Sequence, residues 1–295
     1  MAVGTTPHGQ SHVTTFAQIA ADDLGVPVDD VEVVYGDTEL APLGMDTYGS
    51  RSVSVGGVAV HRAAQKIVDK ARKIAAHELE VSEDDLEYEG GTFSVKGAPD
   101  RAKTIPEIAF GAWTAHNLPD GMEPTLEATA AYDPQNFVFP YGAHICAVEV
   151  DTETGETKVV KYVAVDDVGT VINPQVVDGQ VMGGVIQGIA EALFEEAVYD
   201  ENGQLITSSL TNYEVPAPPD VPSIIVGRPD NVLPSTTNEL GVKGVGETGT
   251  IASPPAVVNA VIDALAPFGI TDIERPCTPE RVWRAIRSAK GGDGQ

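Results

Sequence analysis

Four glycines lie inside a segment whose apolar spacing predicts a single helix, and this combination restricts what the chain can fold into. Apolar residues recur at helical intervals through Val176–Glu196. The glycines within this segment are Gly179, Gly183, Gly184 and Gly188. Because each interior glycine costs a helix about 1 kcal/mol relative to alanine, something must approach this helix closely. Either another helix packs against it, or Gln187 presents its amide to a bound group between residues that lack side chains.

Five further helices are predicted from helical spacing and from start and stop signals. The two helices nearest the C-terminus are each expected to begin with a hydroxyl residue as N-cap and a proline in the first turn, at Ser253-Pro254 and Thr278-Pro279. The predicted helices span Thr14–Leu24, residues 60–75, Ile105–Trp113, residues 254–265, and a last helix that contains Val282, Trp283 and Ile286.

Eight short strands are predicted from β-branched and aromatic residues between turn signals. They span Val31–Tyr35, Leu86–Tyr88, Thr92–Val95, Leu126–Tyr132, Ile145–Val150, Val159–Val165, Leu205–Thr207 and Ile224–Val226. Helices and strands do not alternate regularly along the chain, so a parallel sheet of repeated βαβ units is not predicted. We expect an α+β fold with mixed sheets and packed helices, divided into two lobes at residues 1–123 and 124–295.

The chain carries 44 acidic and 18 basic residues, which gives a formal net charge of −26. This charge excludes attraction to nucleic acid and to anionic membranes. The acidic residues are spread along the chain, which is typical of a salt-adapted, halophile protein, although an acidic mesophile protein would show the same sign. The start MAVGTTPHGQ has no signal-peptide pattern, and apolar runs are shorter than the roughly 18 residues of a membrane span. We therefore expect a cytoplasmic protein without a transmembrane segment.

Three other segments combine glycine with polar side chains, namely Pro7–His12, Thr47–Ser52 and Gly241–Glu247. Glycine lets backbone N–H groups approach a ligand closely, although such loops are more often simple turns. The first segment precedes a predicted helix, where backbone donors and the helix dipole favour phosphate or another anion. A metal pair of His8 and His12 is not predicted, because a loop pair has no helical face to align it and no third ligand nearby.

The candidate catalytic chemistry is restricted to one carboxylate. Glu247 ends a run that contains three glycines, and a carboxylate in such a cramped, weakly solvated loop is suited to act as a general base. The alternative is an ordinary surface glutamate. Cys146 and Cys277 have no CxxC or CxxH spacing, so neither a zinc site nor a disulfide is predicted. The chain has no G-x-S-x-G elbow and no P-loop lysine.

Four motifs make the chain resemble one family over nearly its whole length. They are GTTPHGQSHVTTFAQIAADDLGV, TYGSRSVSVGG, DVGTVINPQVVDGQVMGGVIQG and GVKGVGETGTIASPPAVVNAVIDAL. In this order and spacing they are similar to the C-terminal half of the molybdenum hydroxylase large subunits of xanthine dehydrogenase, aldehyde oxidase and aerobic carbon monoxide dehydrogenase. The last motif is more similar to the carbon monoxide and aldehyde branch than to the eukaryotic xanthine branch.

The resemblance implies a molybdenum cofactor that the protein holds by hydrogen bonds. The family binds molybdenum through the dithiolene of molybdopterin, in prokaryotes usually as the cytosine dinucleotide, and supplies no direct metal ligand. By the matching motifs, the residues that line the pterin and its phosphates are His8, Gly9, Gln10, Tyr48, Gly49, Ser50 and Ser52. Gln187 matches a pterin contact near the metal. Gly246 and Glu247 match the site beside molybdenum, where the glutamate takes a proton from a metal-bound hydroxide as it attacks a carbon centre.

The chain departs from the family pattern in two places. Ser11 stands where relatives commonly have glycine, which adds a side chain near the pterin. The family's large subunit also has an N-terminal half, with the loop that separates carbon monoxide, aldehyde and purine users, and this chain begins after it. We therefore expect the other half as a separate chain unless this sequence is a fragment, and we expect iron–sulfur and FAD-binding subunits as further partners.

The resemblance implies oxidation of a small molecule, namely carbon monoxide, an aldehyde or an N-heterocycle, with water as the oxygen source. A non-catalytic cofactor-carrying or assembly partner, or an inactive fragment that keeps the fold, is the first alternative. Gln187 and Glu247 argue against a decayed fragment, because packing alone requires neither side chain. A phosphate-binding module unrelated to molybdenum is the second alternative, and it rests only on glycine loops and helix starts.

Overall fold

The computed structural model describes residues 1–292, which form two compact units of mixed helices and sheets. The first unit comprises Met1–Val138 with Pro234–Lys243, and the second comprises Phe139–Leu233 with the described chain from Gly244 onward. The predicted α+β class is confirmed. The unit boundaries differ from the predicted division at residues 123 and 124.

Hydrogen bonds hold the segment after residue 123 to the first unit. Lys66 Nζ donates to the carbonyl of Thr129 at 2.7 Å, and the Tyr132 hydroxyl donates to the carbonyl of Thr237 at 2.8 Å. The second bond ties residues 234–243 to the same unit. The predicted strand Leu126–Tyr132 is wrong, because this segment is held by such side-chain contacts and not by pairing with a neighbouring strand.

The first unit contains three α-helices and two small sheets. In chain order its elements are β1 (Ala2–Val3), α1 (His12–Leu24), β2 (Val34–Tyr35), α2 (Val58–Leu79), β3 (Leu86–Glu89), β4 (Thr92–Val95), β5 (Ala98–Thr104) and α3 (Ile105–Thr114). β1 and β2 pair in parallel, whereas β3, β4 and β5 form an antiparallel sheet that confirms the predicted hairpin. β2 is shorter than the predicted strand Val31–Tyr35, because Val28–Asp30 forms a 3₁₀ turn directly before Val31.

The core of the first unit forms around α2, as the amphipathic pattern of this helix predicts. Ile74 of α2 is fully buried and packs with Phe93 of β4 and Ile108 of α3. α3 begins with a capping box, in which the side chains of Thr104 and Glu107 each bond to the other's backbone N–H. This box fixes where the sheet ends and the helix begins.

The second unit has a three-stranded sheet covered by helices. Its elements are β6 (Tyr141–Val150), β7 (Thr157–Asp167), α4 (Pro174–Leu193), β8 (Ile224–Gly227), α5 (Thr248–Leu265) and α6 (Pro279–Gly292). β7 lies in the middle, antiparallel to β6 and parallel to β8. The predicted strand Leu205–Thr207 is wrong, because this turn-rich segment forms only one bridge, between Tyr199 and Leu205.

α5 begins at Thr248, earlier than the predicted N-cap at Ser253. The two prolines after Ser253 therefore lie inside the helix, where each one removes a backbone hydrogen bond. The first turn persists because Ile251 N donates to the carbonyl of Glu247 at 3.0 Å and because the turn packs against α4. Proline in this sequence was a misleading signal for the helix start.

Among residues 1–292, the segment Thr248–Phe268 is long and apolar enough to cross a membrane by length and composition, with a mean hydropathy of 1.4. This segment is longer and more apolar than predicted from the sequence, but a single helix that passes by length and composition is weak evidence for a membrane span. Val257, Val261 and Leu265 are fully buried in the apolar core that α5 shares with α4 and the sheet. The core of the second unit thus accounts for part of the apolar character of the helix, since 28% of its most apolar window is buried.

Gly184 and Gly188 of α4 lie directly against α5. A Cβ atom on Gly184 would lie 2.8 Å from a backbone nitrogen of α5, and one on Gly188 would lie 1.7 Å from Ser253 Oγ. From the other side, a Cβ on Gly249 of α5 would lie 2.3 Å from the carbonyl oxygen of Val181. The two helices therefore touch backbone to backbone, and close packing explains these two glycines of α4.

Gly179 and Gly183 form a different face of α4. A Cβ on either residue would meet no atom within 4 Å. Gln187 occupies the next position along the same row, four residues on, and its side chain is exposed. Packing within the second unit does not account for these two glycines, so the alternative of a bound group stays open for this face.

A buried carboxylate closes the second unit at the end of β7. Asp167 is 1% exposed, and its two oxygens accept hydrogen bonds from the backbone N–H groups of Gly169 at 2.8 Å and Leu233 at 2.7 Å. Hydrogen bonds to an ionised acceptor are stronger than those between neutral groups. Asp167 therefore fixes the start of the loop that leads to α4, where Asn173 caps the helix by accepting from Val176 N at 3.1 Å.

The two glycine faces of α4 predict opposite effects of alanine. We expect Gly188→Ala to lower the free energy of unfolding by about 1–3 kcal/mol, because the methyl group has no space against α5. Gly183→Ala should leave it unchanged or raise it by up to about 1 kcal/mol through helix propensity. Urea-induced unfolding of both variants measures the difference. Equal destabilisation by the two substitutions would contradict the helix contact described above.

Candidate functional site

Two loops of the first unit, residues 4–12 and 43–52, are bound side by side and are called the paired loops below. Their backbones touch where a Cβ on Gly4 would lie 2.3 Å from the carbonyl oxygen of Leu43. Thr6 N donates to Asp46 Oδ1 at 3.0 Å, and the Thr47 hydroxyl donates to the carbonyl of Thr6 at 2.8 Å. The structure thus brings together two segments that the sequence places about 40 residues apart.

His8, Gly9 and Gln10 form the tip of the first paired loop. The backbone N–H of His8 donates to Gln10 Oε1, which folds the Gln10 side chain back over the turn. Gly9 has a φ of +103° and nothing within 4 Å of the position of a Cβ. Only glycine adopts this conformation without strain, and its backbone is open to a ligand. Ser11 has a left-handed φ of +63°, and its carbonyl accepts from Thr15 N at the start of α1.

Tyr48, Gly49, Ser50 and Ser52 form the tip of the second paired loop. Gly49 and Ser50 both have left-handed φ values, +57° and +55°, and a Cβ on Gly49 would meet nothing within 4 Å. Successive backbone N–H groups in such a turn form a concave surface that binds anions. Ser52 is buried, and its hydroxyl lies 2.9 Å from that of Thr47. A π-helical turn over Val53–Gly57 follows Ser52 and leads into α2.

Arg51 and His12 belong to the paired loops but were not predicted as site residues. The Arg51 guanidinium lies over the Tyr48 ring at 4.9 Å and donates to its hydroxyl at 3.1 Å, so a fixed positive charge stands beside the open glycine turn. His12 is buried at the first position of α1 and stacks on Phe16, with ring centroids 5.1 Å apart. Burial, and then the nearby His8, lower the pKa of His12 below its usual value. The arginine within TYGSRS was the available sequence signal.

Asp46 provides the link between the paired loops, and its charge makes that link pH-dependent. Hydrogen bonds from Thr6 hold the pKa of Asp46 below its usual value. A group whose pKa is lowered by folding stabilises the folded state above its ordinary pKa and loses this contribution as the pH falls through the lowered value.

We therefore expect Asp46→Asn to lower the melting temperature at neutral pH but not at acid pH, where the wild-type carboxyl is also protonated. Thermal unfolding of both proteins from neutral pH to about pH 2, below the lowered pKa of Asp46, measures this difference. A difference that stays constant over the whole pH range would show that the charge of Asp46 does not contribute.

Gln187, Gly246 and Glu247 lie in the second unit, and all three are exposed within the described chain. The expectation of a cramped, weakly solvated loop around Glu247 is therefore wrong for the chain by itself. Glu247 precedes the first turn of α5, and Gln187 lies one turn beyond Gly184 on α4. Because α4 and α5 touch at Gly184 and Gly249, the helix contact fixes the backbones that carry Gln187 and Glu247.

The predicted site residues thus form two groups, one in the paired loops and one at the contact of α4 with α5. Among residues 1–292, no three or more His, Cys, Asp and Glu side chains are grouped so that they could hold a metal ion. Both groups of residues provide hydrogen-bond donors and acceptors. Such a site suits a polar ligand that brings its own chemistry.

Comparison with known proteins also indicates a domain that binds a cofactor. The family model described as the molybdopterin cofactor-binding domain matches residues 1–222. The chain is 44% identical to the carbon monoxide dehydrogenase large chain of Hydrogenophaga pseudoflava, covering 97% of this chain and 35% of that protein. It is 42% identical to the nicotine 6-hydroxylase large subunit of Paenarthrobacter nicotinovorans, covering 96% and 35% of the two chains.

The fold matches a solved structure of reconstituted CO dehydrogenase from Oligotropha carboxidovorans. The TM-score is 0.94 at 40% sequence identity, and the match covers 99% of this chain and 36% of that chain. This chain therefore spans about one third of the length of the curated relatives that it matches.

Proposed function

Because the chain belongs to the family of molybdopterin cofactor-binding domains, we propose that it is the cofactor-binding portion of a carbon monoxide dehydrogenase-like large subunit. The observation that carries the proposal is the pair of hydrogen-bonded loops with open, left-handed turns at Gly9 and Gly49. An anionic, phosphate-bearing cofactor needs backbone donors of this kind. The cytosine dinucleotide form is the specific cofactor that we propose.

The residues of the paired loops fit such a group. His8, Gly9 and Gln10 would hold it on one side, and Tyr48, Gly49, Ser50 and Ser52 on the other. The formal net charge of −26 makes the approach of an anion unfavourable. The positive charge of the Arg51 guanidinium offsets this repulsion locally. The geometry of these loops supports binding of the cofactor by hydrogen bonds, without a direct metal ligand.

When bound, a molybdenum cofactor activates water and accepts an electron pair. Glu247 would then accept a proton from the water that supplies the oxygen atom. Gln187 would donate or accept a hydrogen bond from the bare face of α4, where Gly179 and Gly183 leave room for the group. Gly246, directly before the base, has no side chain that would obstruct it.

We propose carbon monoxide as the first substrate to test, because two of the matched proteins are named for it. An aldehyde or an N-heterocycle is the next choice, and the name of the nicotine 6-hydroxylase subunit favours the latter. Oxidation of carbon monoxide with water releases carbon dioxide, two protons and two electrons. The electrons require partners, for which we propose iron–sulfur and FAD-binding subunits in addition to the rest of the large subunit. The cytoplasm is the proposed location.

Glu247→Gln tests the role of the base in the complex assembled from the chain and these partners. The amide keeps the size of the side chain but cannot accept the proton, so turnover should fall at least about 100-fold. Molybdenum content should stay unchanged, as measured by elemental analysis of the same preparation. Glu201→Gln, at an exposed turn of the same unit, is the matched control and should behave as wild type.

A Glu247→Gln complex that turns over at the wild-type rate with full molybdenum would remove Glu247 from the role of base. A wild-type complex that contains molybdenum but oxidises none of the three substrate classes would favour the alternative of a non-catalytic carrier. A complex without molybdenum would contradict the proposed function as a whole.

The chain by itself should bind the cofactor weakly. Gln187 and Glu247 are exposed in the described chain, and a site open to water strengthens hydrogen bonds far less than an enclosed one. We expect molybdenum near one equivalent in the assembled complex and well below that in the isolated chain after gel filtration. A fully loaded isolated chain would contradict this expectation.

A further inference from the structure

A buried polar network lies in the second unit and has no part in the proposed chemistry. His144 Nδ1 lies 2.9 Å from the Tyr162 hydroxyl, and His144 Nε2 lies 3.1 Å from Asp166 Oδ2. The side chains of His144 and Asp166 are 1% and 4% exposed, and Tyr162 is fully buried. Together they form a continuous chain from a carboxylate through an imidazole to a phenol.

The register of the sheet produces this arrangement. His144 of β6 pairs with Ala164 of β7, so Tyr162 and Asp166, two residues to either side of Ala164, point to the same face as His144. Burial raises the pKa of Tyr162 above its usual value, so the phenol keeps its proton and can donate to Nδ1. Nε2 then carries the hydrogen that Asp166 accepts.

Stability alone does not require such a network in this part of the core. Apolar residues of similar volume often replace a buried charged network at no cost to stability. The backbone is nevertheless shaped around it, because a Cβ on Gly142 of β6 would lie 2.1 Å from Asp166 Oδ1. A fully paired polar network allows one arrangement of its members, whereas apolar packing allows several.

The network faces the helix that follows Glu247. Tyr162 packs in the apolar core with Val257 of α5, and α5 also packs on β6. Ser253 of α5 is fully buried next to Gly188 of α4, and its side chain moderates the raised pKa of Tyr162. Ser253 lies six positions after Glu247, which is about 9 Å along a helix axis.

We propose that Asp166, His144 and Tyr162 are positioning residues that fix α5 against the sheet and thereby fix Glu247. This inference rests on the proposed role of Glu247 as base. A tilt of α5 about its contact with the sheet moves the end that carries Glu247. A displacement of about 1 Å at a catalytic group can lower a rate by up to about 100-fold.

Tyr162→Phe in the molybdenum-loaded complex tests this proposal, because it removes one hydroxyl and keeps the ring that packs in the core. We expect kcat to fall about tenfold, with KM and molybdenum content unchanged. Tyr213→Phe is the matched control, since it removes a hydroxyl that donates to Glu195 at 3.0 Å in the same unit, and it should leave kcat unchanged. Gly142→Ala, which displaces the Asp166 carboxylate without removing any network group, should reproduce the effect of Tyr162→Phe.

Hydrogen exchange of the full chain gives a readout that is independent of activity. In Tyr162→Phe the amides at residues 248–253 should exchange faster, whereas those of α6 should not change. A lower melting temperature with unchanged kcat and unchanged exchange in α5 would mean a purely structural role and would overturn the inference. An active Glu247→Gln complex would refute the proposed base, whereas faster exchange in α5 alone would still support the positioning of the helix.

Discussion

The backbone contact between α4 and α5 determines most of what the second unit can do. Gly184, Gly188 and Gly249 allow the two helices to approach until no side chain fits between them. Glycine lowers the stability of a helix, but here it permits a contact that places Gln187 and Glu247 on adjoining backbones. The sheet packs on the same helix pair, and the buried network of Asp166, His144 and Tyr162 lies where the sheet meets α5. Helix packing and placement of the candidate site are therefore one constraint.

Electrostatics impose a second constraint on any anionic ligand. A formal net charge of −26 repels phosphate, and at physiological ionic strength salt largely screens this repulsion beyond the Debye length of roughly 8 Å but much less at shorter range. The paired loops compensate locally, with backbone N–H groups near Gly9 and Gly49 and with the Arg51 guanidinium. His12, whose pKa is lowered by burial, contributes no positive charge at neutral pH. Recognition by fixed dipoles suits a protein whose surface is otherwise acidic.

The sequence was sufficient where a local pattern determines the structure. The amphipathic α2, the β3–β4 hairpin and the last helix were predicted because spacing and caps are properties of neighbouring residues. The start of α5 was mispredicted because Pro254 has the same signature at a first turn and inside a helix supported by another helix. The segment Leu126–Tyr132 has the composition of a strand but has no strand to pair with. Such outcomes depend on tertiary contacts, and no local pattern encodes them.

The candidate site shows the same limit. Gly9 and Gly49 were predicted as parts of separate loops, but their pairing depends on the link from Thr6 to Asp46 across about 40 residues. The four glycines of α4 left two explanations, and only the position of α5 assigned Gly184 and Gly188 to packing. The exposure of Glu247 could not be predicted, because enclosure depends on what covers a loop and not on the glycines within it.

Asp167 has a consequence for how the second unit responds to its surroundings. Its bond to Leu233 N closes a loop of 66 residues within a chain that has only two cysteines, both free. In a secreted protein a disulfide commonly performs this function, and reductants can open it. The hydrogen bond between Asp167 and Leu233 does not react with thiols and does not depend on redox potential, and it can break and form again without an enzyme. The fold can therefore join its distant segments equally well in reducing and oxidising surroundings.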